Sequence, residues 1–253
     1  MMHGHGFGGG FGGYANPFSR PMDWNALGKF DSITPAVQTH LMRVYACLST
    51  GLMCLALGVY IDGKHHVSGT MTQILLLGMI FGLTMIKDLY NRLAIFHAVG
   101  LLMGCNLGPL VNNVAQFRPD IVMTAVMGTC VIFACFSAAS MYAKRREFLY
   151  LGGMLSSAIS MLFAGRFLNM MMGGTLSSGL YALELYGGLC MFMLYVVFDT
   201  QMIIEDAHNR RGDFVEHAMK LLTDFVAIFV RLLIILTQNA EKKQQREREK
   251  NRR

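Results

Sequence analysis

The sequence predicts an all-α membrane protein, a single bundle of seven helices, on two observations. Hydrophobic residues make up 53% of the 253-residue chain and charged residues 15%, against about 25% charged in an ordinary soluble domain. Too few charges remain to cover a soluble surface of this size. Apolar runs near the ~20 residues that cross a bilayer also recur along the chain, separated by brief polar links.

The chain opens with "MMHGHGFGGGFGGYANPF", glycine-rich and without the apolar core of a cleavable signal peptide. Residues 1–36 are read as a disordered cytosolic tail; His3 and His5 alone on such a tail are weak grounds for a metal site. Seven apolar segments follow, at roughly 37–61, 71–86, 93–115, 121–143, 149–172, 179–204 and 215–238. Lys87 and Asp88 stop the second, which is short. The links between them are brief, so neighbouring helices run antiparallel and 37–238 forms one domain. Gly100 and Gly104, Gly152 and Gly153 with Ser156 and Ser157, and Gly187 with Gly188 mark close helix contacts.

Residues 239–253 form a basic tail carrying Lys242, Lys243, Arg246, Arg248, Lys250, Arg252 and Arg253. It suits an anionic membrane face better than nucleic acid. Lys144, Arg145 and Arg146, Lys87 with Arg92, and Arg210 with Arg211 alternate with poorer links, which places these links and the N-terminus in the cytosol. A basic tail also expected in the cytosol conflicts with a seventh full crossing. Either the last segment re-enters, giving six spans, or the tail is an exception. The six cysteines lie in apolar runs without Cys-x-x-Cys spacing and are read as buried apolar residues.

Two aspartates interrupt the last two segments: Asp199 in "YVVFDTQMII" and Asp224 in "LLTDFVAIFVRLLIIL". A carboxylate at mid-helix costs about 2.5–3.5 kcal/mol on membrane insertion. Each lies about twelve residues from the turn near Arg210–Gly212, so an antiparallel hairpin brings both to nearly equal depth. Two carboxylates in a low-dielectric site cannot readily both ionise and titrate as a unit. With a shared proton they tie the helices together; without it they repel, and they attract a hard cation such as Ca²⁺. The plainer alternative is local ion pairing of Asp224 with Lys220 or Arg231, aided by hydroxyls of Thr200 and Thr223. Intramembrane aspartyl proteases resemble presenilin, but their Gly-x-Gly-Asp and Pro-Ala-Leu motifs are missing, so no enzyme activity is expected.

"HLMRVYACLS", "GLLMGCNLGPL", "MGTCVIFACFSAASMYAKRREFLYLGG", "VVFDTQMIIEDA" and "LLTDFVAIFVRLLIIL" in this order resemble the Bax inhibitor-1 family from about His40 to the tail. The resemblance implies a seven-helix bundle with the last helix central, residence in the endoplasmic reticulum membrane, a pH-dependent Ca²⁺ leak and restraint of cell death. It implies Asp199 and Asp224 as the pH-sensing pair, with Lys87 or Arg92 as its basic partner, and a regulatory basic tail. Protons are the regulator and Ca²⁺ the transported ion, with no bound cofactor. Two readings stand beside the leak: a non-conducting protein that modulates cell-death regulators or other calcium channels, and a calcium/proton exchanger. Glu184 is a candidate lumenal pore mouth or a simple interfacial residue, and Arg166 snorkels near the lumenal end of its segment. His97, Asn106, Asn112 and Asn113 line a cavity or glue helices. "NMMMGG" (169–174) reads as membrane-edge packing rather than a copper site.

Overall fold

Proline opens two of the helices, at Pro35 and Pro119, where its missing N–H would have no intrahelical partner anyway. Asp88 caps a third by accepting from the Asn91 N–H at 3.1 Å. In a computed structural model, residues 34–143, 148–171, 178–209 and 212–251 are described. Lys144, Arg145, Arg146, Arg210, Arg211, Arg252, Arg253 and residues 1–33 lie outside them.

The described residues form seven helical rods: α1 (Pro35–His65), α2 (Thr70–Met85), α3 (Leu89–Phe117), α4 (Pro119–Tyr142), α5 (Leu151–Met171), a composite sixth rod and α8 (Phe214–Asn251). The sixth joins α6 (Ser178–Ala182), a π-helical turn (Leu183–Gly187) and α7 (Gly188–His208). Five helices, Pro35–His65, Leu89–Phe117, Pro119–Tyr142, Leu151–Met171 and Leu183–His208, are long and apolar enough to cross a membrane; α2 is a shorter apolar helix of 16 residues. Large apolar side chains such as Met71, Phe81, Met127, Met161 and Phe163 stand exposed on the outer faces, where only lipid can cover so much apolar surface. The chain is a multi-pass membrane protein.

Three apolar clusters hold the rods together. The largest joins Val37, Leu41 and Val44 of α1 with Phe96, Phe133, Val196, Ile203, Leu221, Leu222 and Ile228. A second joins Val111, Ile121 and Ala125 to Phe229 and Leu233 of α8, and a third joins Leu151 and Leu155 of α5 to Met191. Helix α8 packs on α1, α3, α4 and α7 and feeds the first two clusters. The closest seam runs between α1 and α3. A side-chain carbon at Gly104 would overlap the Leu55 carbonyl, and one at Gly58 the Leu101 carbonyl, so the two backbones touch as the small-residue pattern anticipates.

Helix α8 begins beside the start of α1, where Val215 meets the cluster of Val37, and runs unbroken to Gln238, whose Nε2 donates to the Tyr181 hydroxyl at 3.2 Å. Tyr181 lies at the opening of the sixth rod, so α8 runs the length of the bundle as one continuous helix. Residue 239 therefore lies at the end of the bundle away from the start of α1. The helix continues through Lys242, Lys243, Arg246, Arg248 and Lys250 to Asn251, because Glu, Lys, Gln and Arg are good helix formers. Cys130, Cys135 and Cys190 are exposed on helix surfaces rather than buried.

Candidate functional site

The α7–α8 hairpin places Asp199 and Asp224 side by side. Their carboxyl groups hydrogen-bond to each other in a seam where Asp224 is 4% exposed. Ionised carboxylates only accept hydrogen bonds, so this contact needs one proton between the two. Asp224 Oδ2 finds no partner among the described residues.

The ion-pair alternative goes elsewhere. Lys220 pairs with Glu216 at 2.9 Å, though its charge also acts on Asp199. Arg231 donates to the Ala227 carbonyl at 3.1 Å and lies 4.5 Å over the Phe192 ring. The Thr223 hydroxyl turns back to the Met219 carbonyl at 2.9 Å. Arg92 forms an ion pair with Asp213 at the mouth of the α7–α8 hairpin, and Lys87 is exposed after α2. Neither of these two basic residues is held by the aspartates in this state.

Thr200, next to Asp199 in the chain, shares a buried polar patch with two hydroxyls that the sequence reading missed, Tyr45 and Ser137. The Tyr45 hydroxyl of α1 faces Ser137 of α4 and Thr200 of α7, yet none of the three completes a hydrogen bond among the described residues. Ser140 Oγ donates to the Val197 carbonyl at 2.7 Å, which fixes α4 against α7, and Gln201 Oε1 accepts from the Phe148 N–H at 3.1 Å, which ties the turn before α5 to α7.

Two further clusters occupy the ends of the bundle. At the α1-start end, His40 Nε2 and His217 Nδ1 share a hydrogen bond at 3.0 Å, and His217 Nε2 lies 3.4 Å from Asp206. The chain ties together the start of α1, the end of α7 and the start of α8. At the other end Asp62, 1% exposed, accepts from the Ser68 N–H at 2.7 Å and packs on Gly108. Asn106 is linked to Thr72 at 2.9 Å and Asn112 to the Val59 carbonyl at 3.4 Å, so both fasten helices. His97 joins Thr50 at 2.9 Å in the same way.

Glu184 belongs to the π-helical turn and pairs with Arg166 of α5. Of the tail residues, Lys242, Lys243, Arg246, Arg248 and Lys250 are exposed along the end of α8. Among the described residues no group of three or more His, Cys, Asp or Glu converges as a metal cage.

The family model described as "Inhibitor of apoptosis-promoting Bax1" matches residues 37–241. The chain is 42% identical to Bax inhibitor 1 of Arabidopsis thaliana over 232 residues, 91% of this chain and 93% of the relative. It is 36% identical to Bax inhibitor 1 of Bos taurus over 237 residues (91% and 99%) and 35% identical to that of Homo sapiens over 234 residues (90% and 98%).

Proposed function

The chain belongs to the Bax inhibitor-1 family, and from that premise we propose a proton-controlled Ca²⁺ leak of the endoplasmic reticulum membrane that lowers lumenal calcium and restrains cell death. Seven rods cross the bilayer around α8, with the start of α1 and the N-terminus on the cytosolic side. Asp199 and Asp224 are sensor and gate. The reading is carried by one observation: two carboxyls bonded to each other across the α7–α8 seam, a contact that exists only with a proton between them.

Losing that proton replaces an attraction by a repulsion between two like charges in low dielectric. We assign the patch of Thr200, the residue after Asp199, with Tyr45 and Ser137 as the donors to which the seam then turns. Two carboxylates supply fewer oxygens than the six to eight Ca²⁺ takes in a storage site, which suits passage rather than retention. Arg92 and Lys87, near the start of α3, are the basic residues assigned to the cytosolic side of the gate, and Glu184 the acidic residue of the lumenal side. The basic helix beyond Gln238 is assigned a regulatory role, and cell-death regulators or other calcium channels are the protein partners.

The test is Ca²⁺ flux in liposomes across pH. Asp199→Asn and Asp224→Asn keep a neutral hydrogen-bonding pair and are expected to make flux independent of pH. Unchanged flux and unchanged pH dependence in both variants overturn the gate. A purified protein silent in liposomes yet protective in cells identifies a non-conducting regulator, and flux that scales with an opposed proton gradient identifies an exchanger.

A further inference from the structure

A half-open groove of about 850 Å³ runs between α5 and the sixth rod, in the size range of small-molecule sites. Its polarity is graded. Arg166, Asn169, Tyr181 and Glu184 gather toward the ends of these rods away from the α1 start, while Ala158 and Met191 close the groove near mid-helix. From Ala158 to Met170 is twelve residues, or about 18 Å of helix, against about 15 Å for one leaflet's hydrocarbon.

The charges at the polar end do not balance. Arg166 and Glu184 pair, but the Arg231 guanidinium lies close behind and acts electrostatically with both. It is lodged where a side-chain carbon at Gly188 would meet its Nε at 2.5 Å, so the glycine after the π-helical turn makes the cradle. The lining itself carries the paired Arg166 and Glu184, and Arg231 behind it adds a second cation to the region. The Arg166 side chain is 68% exposed, with donors to spare for a second acceptor.

We propose that this groove is a phospholipid site, with the phosphate on Arg166, Arg231 adding its field, and one acyl chain lying along the apolar length toward Met191. The graded lining matches a lipid of the adjacent leaflet in direction and length, and the excess cation matches a phosphate, which a guanidinium binds with paired donors. Arg231 stands seven residues beyond Asp224 on α8, so an occupied groove bears on the helix that carries one of the aspartates. The assignment needs only the membrane setting and stands apart from any ion leak.

The test uses the full chain in nanodiscs containing phosphatidylcholine with a photoreactive acyl chain, crosslinks being mapped by mass spectrometry. Labelling is expected to concentrate on α5 and on Leu183–Met191. A side-chain carbon at Gly165 meets nothing within 4 Å, so Gly165→Phe fills the groove without disturbing the fold, which the elution profile checks. It is expected to remove the groove crosslinks. Arg166→Ala is expected to lower them about tenfold, the loss of one charge-assisted hydrogen bond. Even labelling around the bundle, or labelling that survives Gly165→Phe, overturns the site. Equal labelling by a photoreactive diacylglycerol, which has the chains but no phosphate, overturns the phosphate contact. A crosslink from the groove to a second copy of the chain overturns the lipid as occupant.

Discussion

The α1–α3 seam and the α7–α8 seam join helices by opposite means. Between α1 and α3, glycines bring backbone onto backbone: Gly58 lies under the Leu101 carbonyl, and Gly104 under the Leu55 carbonyl. Between α7 and α8 the contact includes the Asp199–Asp224 carboxyl pair, and the buried hydroxyls of Tyr45, Ser137 and Thr200 complete no hydrogen bond among the described residues. A protein selected only for stability would leave no such groups in a seam, since each costs about 1–3 kcal/mol. The first seam is closed backbone on backbone, and the second holds buried polar groups that are not all paired among the described residues.

The largest effect is expected from filling the α1–α3 seam. Gly104→Val sets branched carbons onto the Leu55 carbonyl and the Gly58 backbone, and backbone cannot rotate away as a side chain can. A loss of about 3 kcal/mol or more is expected, seen as a lower unfolding temperature in detergent. A Gly104→Val protein as stable as the parent shows that the α1–α3 seam is looser than described.

The α7–α8 seam is expected to answer differently, to pH rather than to volume. As pH rises past the point where the shared proton leaves, the Asp199–Asp224 contact turns from bond to repulsion, so stability falls with rising pH. Asp224→Asn removes the exchangeable proton, and its unfolding temperature is expected to stay level over the pH range in which the parent's declines. Parallel curves for the two proteins break the assignment of that proton to this pair.

At the α1-start end, His217→Ala removes the middle of the chain from His40 to Asp206 and leaves His40 without its buried partner. With His217 3% exposed, a loss of about 1–2 kcal/mol is expected, part hydrogen bond and part packing. Arg92→Ala, which opens a partly exposed ion pair with Asp213, is expected to cost less, about 1 kcal/mol, and less still in high salt. If Arg92→Ala costs more than His217→Ala in unfolding experiments, the ion pair rather than the histidine is the tie at this end.

Much of this was legible in the sequence because it depends on local composition. Helix ends follow from Pro35, Asp88 and Pro119, and the meeting of Asp199 with Asp224 follows from their equal distance to one turn. Gly104 announced close packing, but its partner Gly58 did not, since 46 residues separate them and only the three-dimensional register aligns them. The same holds for His40 and His217, 177 residues apart, and for Tyr45 with Ser137 and Thr200, drawn from three helices. The π-helical turn at Leu183–Gly187 has no compositional mark, as Leu-Glu-Leu-Tyr-Gly also suits an ordinary helix. Nor did the choice of Asp213 by Arg92 show, because the competing carboxylates lie close in sequence and the fold decides among them.

The smallest effect carries the sharpest sign. In the α1–α3 seam any enlargement costs stability, whereas Tyr45→Phe removes a buried hydroxyl that completes no hydrogen bond among the described residues and leaves the ring's packing in place. Removing an unsatisfied polar group is neutral or favourable, so a gain of up to about 1 kcal/mol is expected in the unfolding temperature. The same variant takes a donor from the partners assigned to the aspartates after proton loss, so its flux in liposomes is expected to depend less on pH. Higher stability with a weaker pH response identifies the hydroxyl as kept for switching. A loss of more than about 1 kcal/mol instead shows that Tyr45 is bonded, and that the second seam is built for stability like the first.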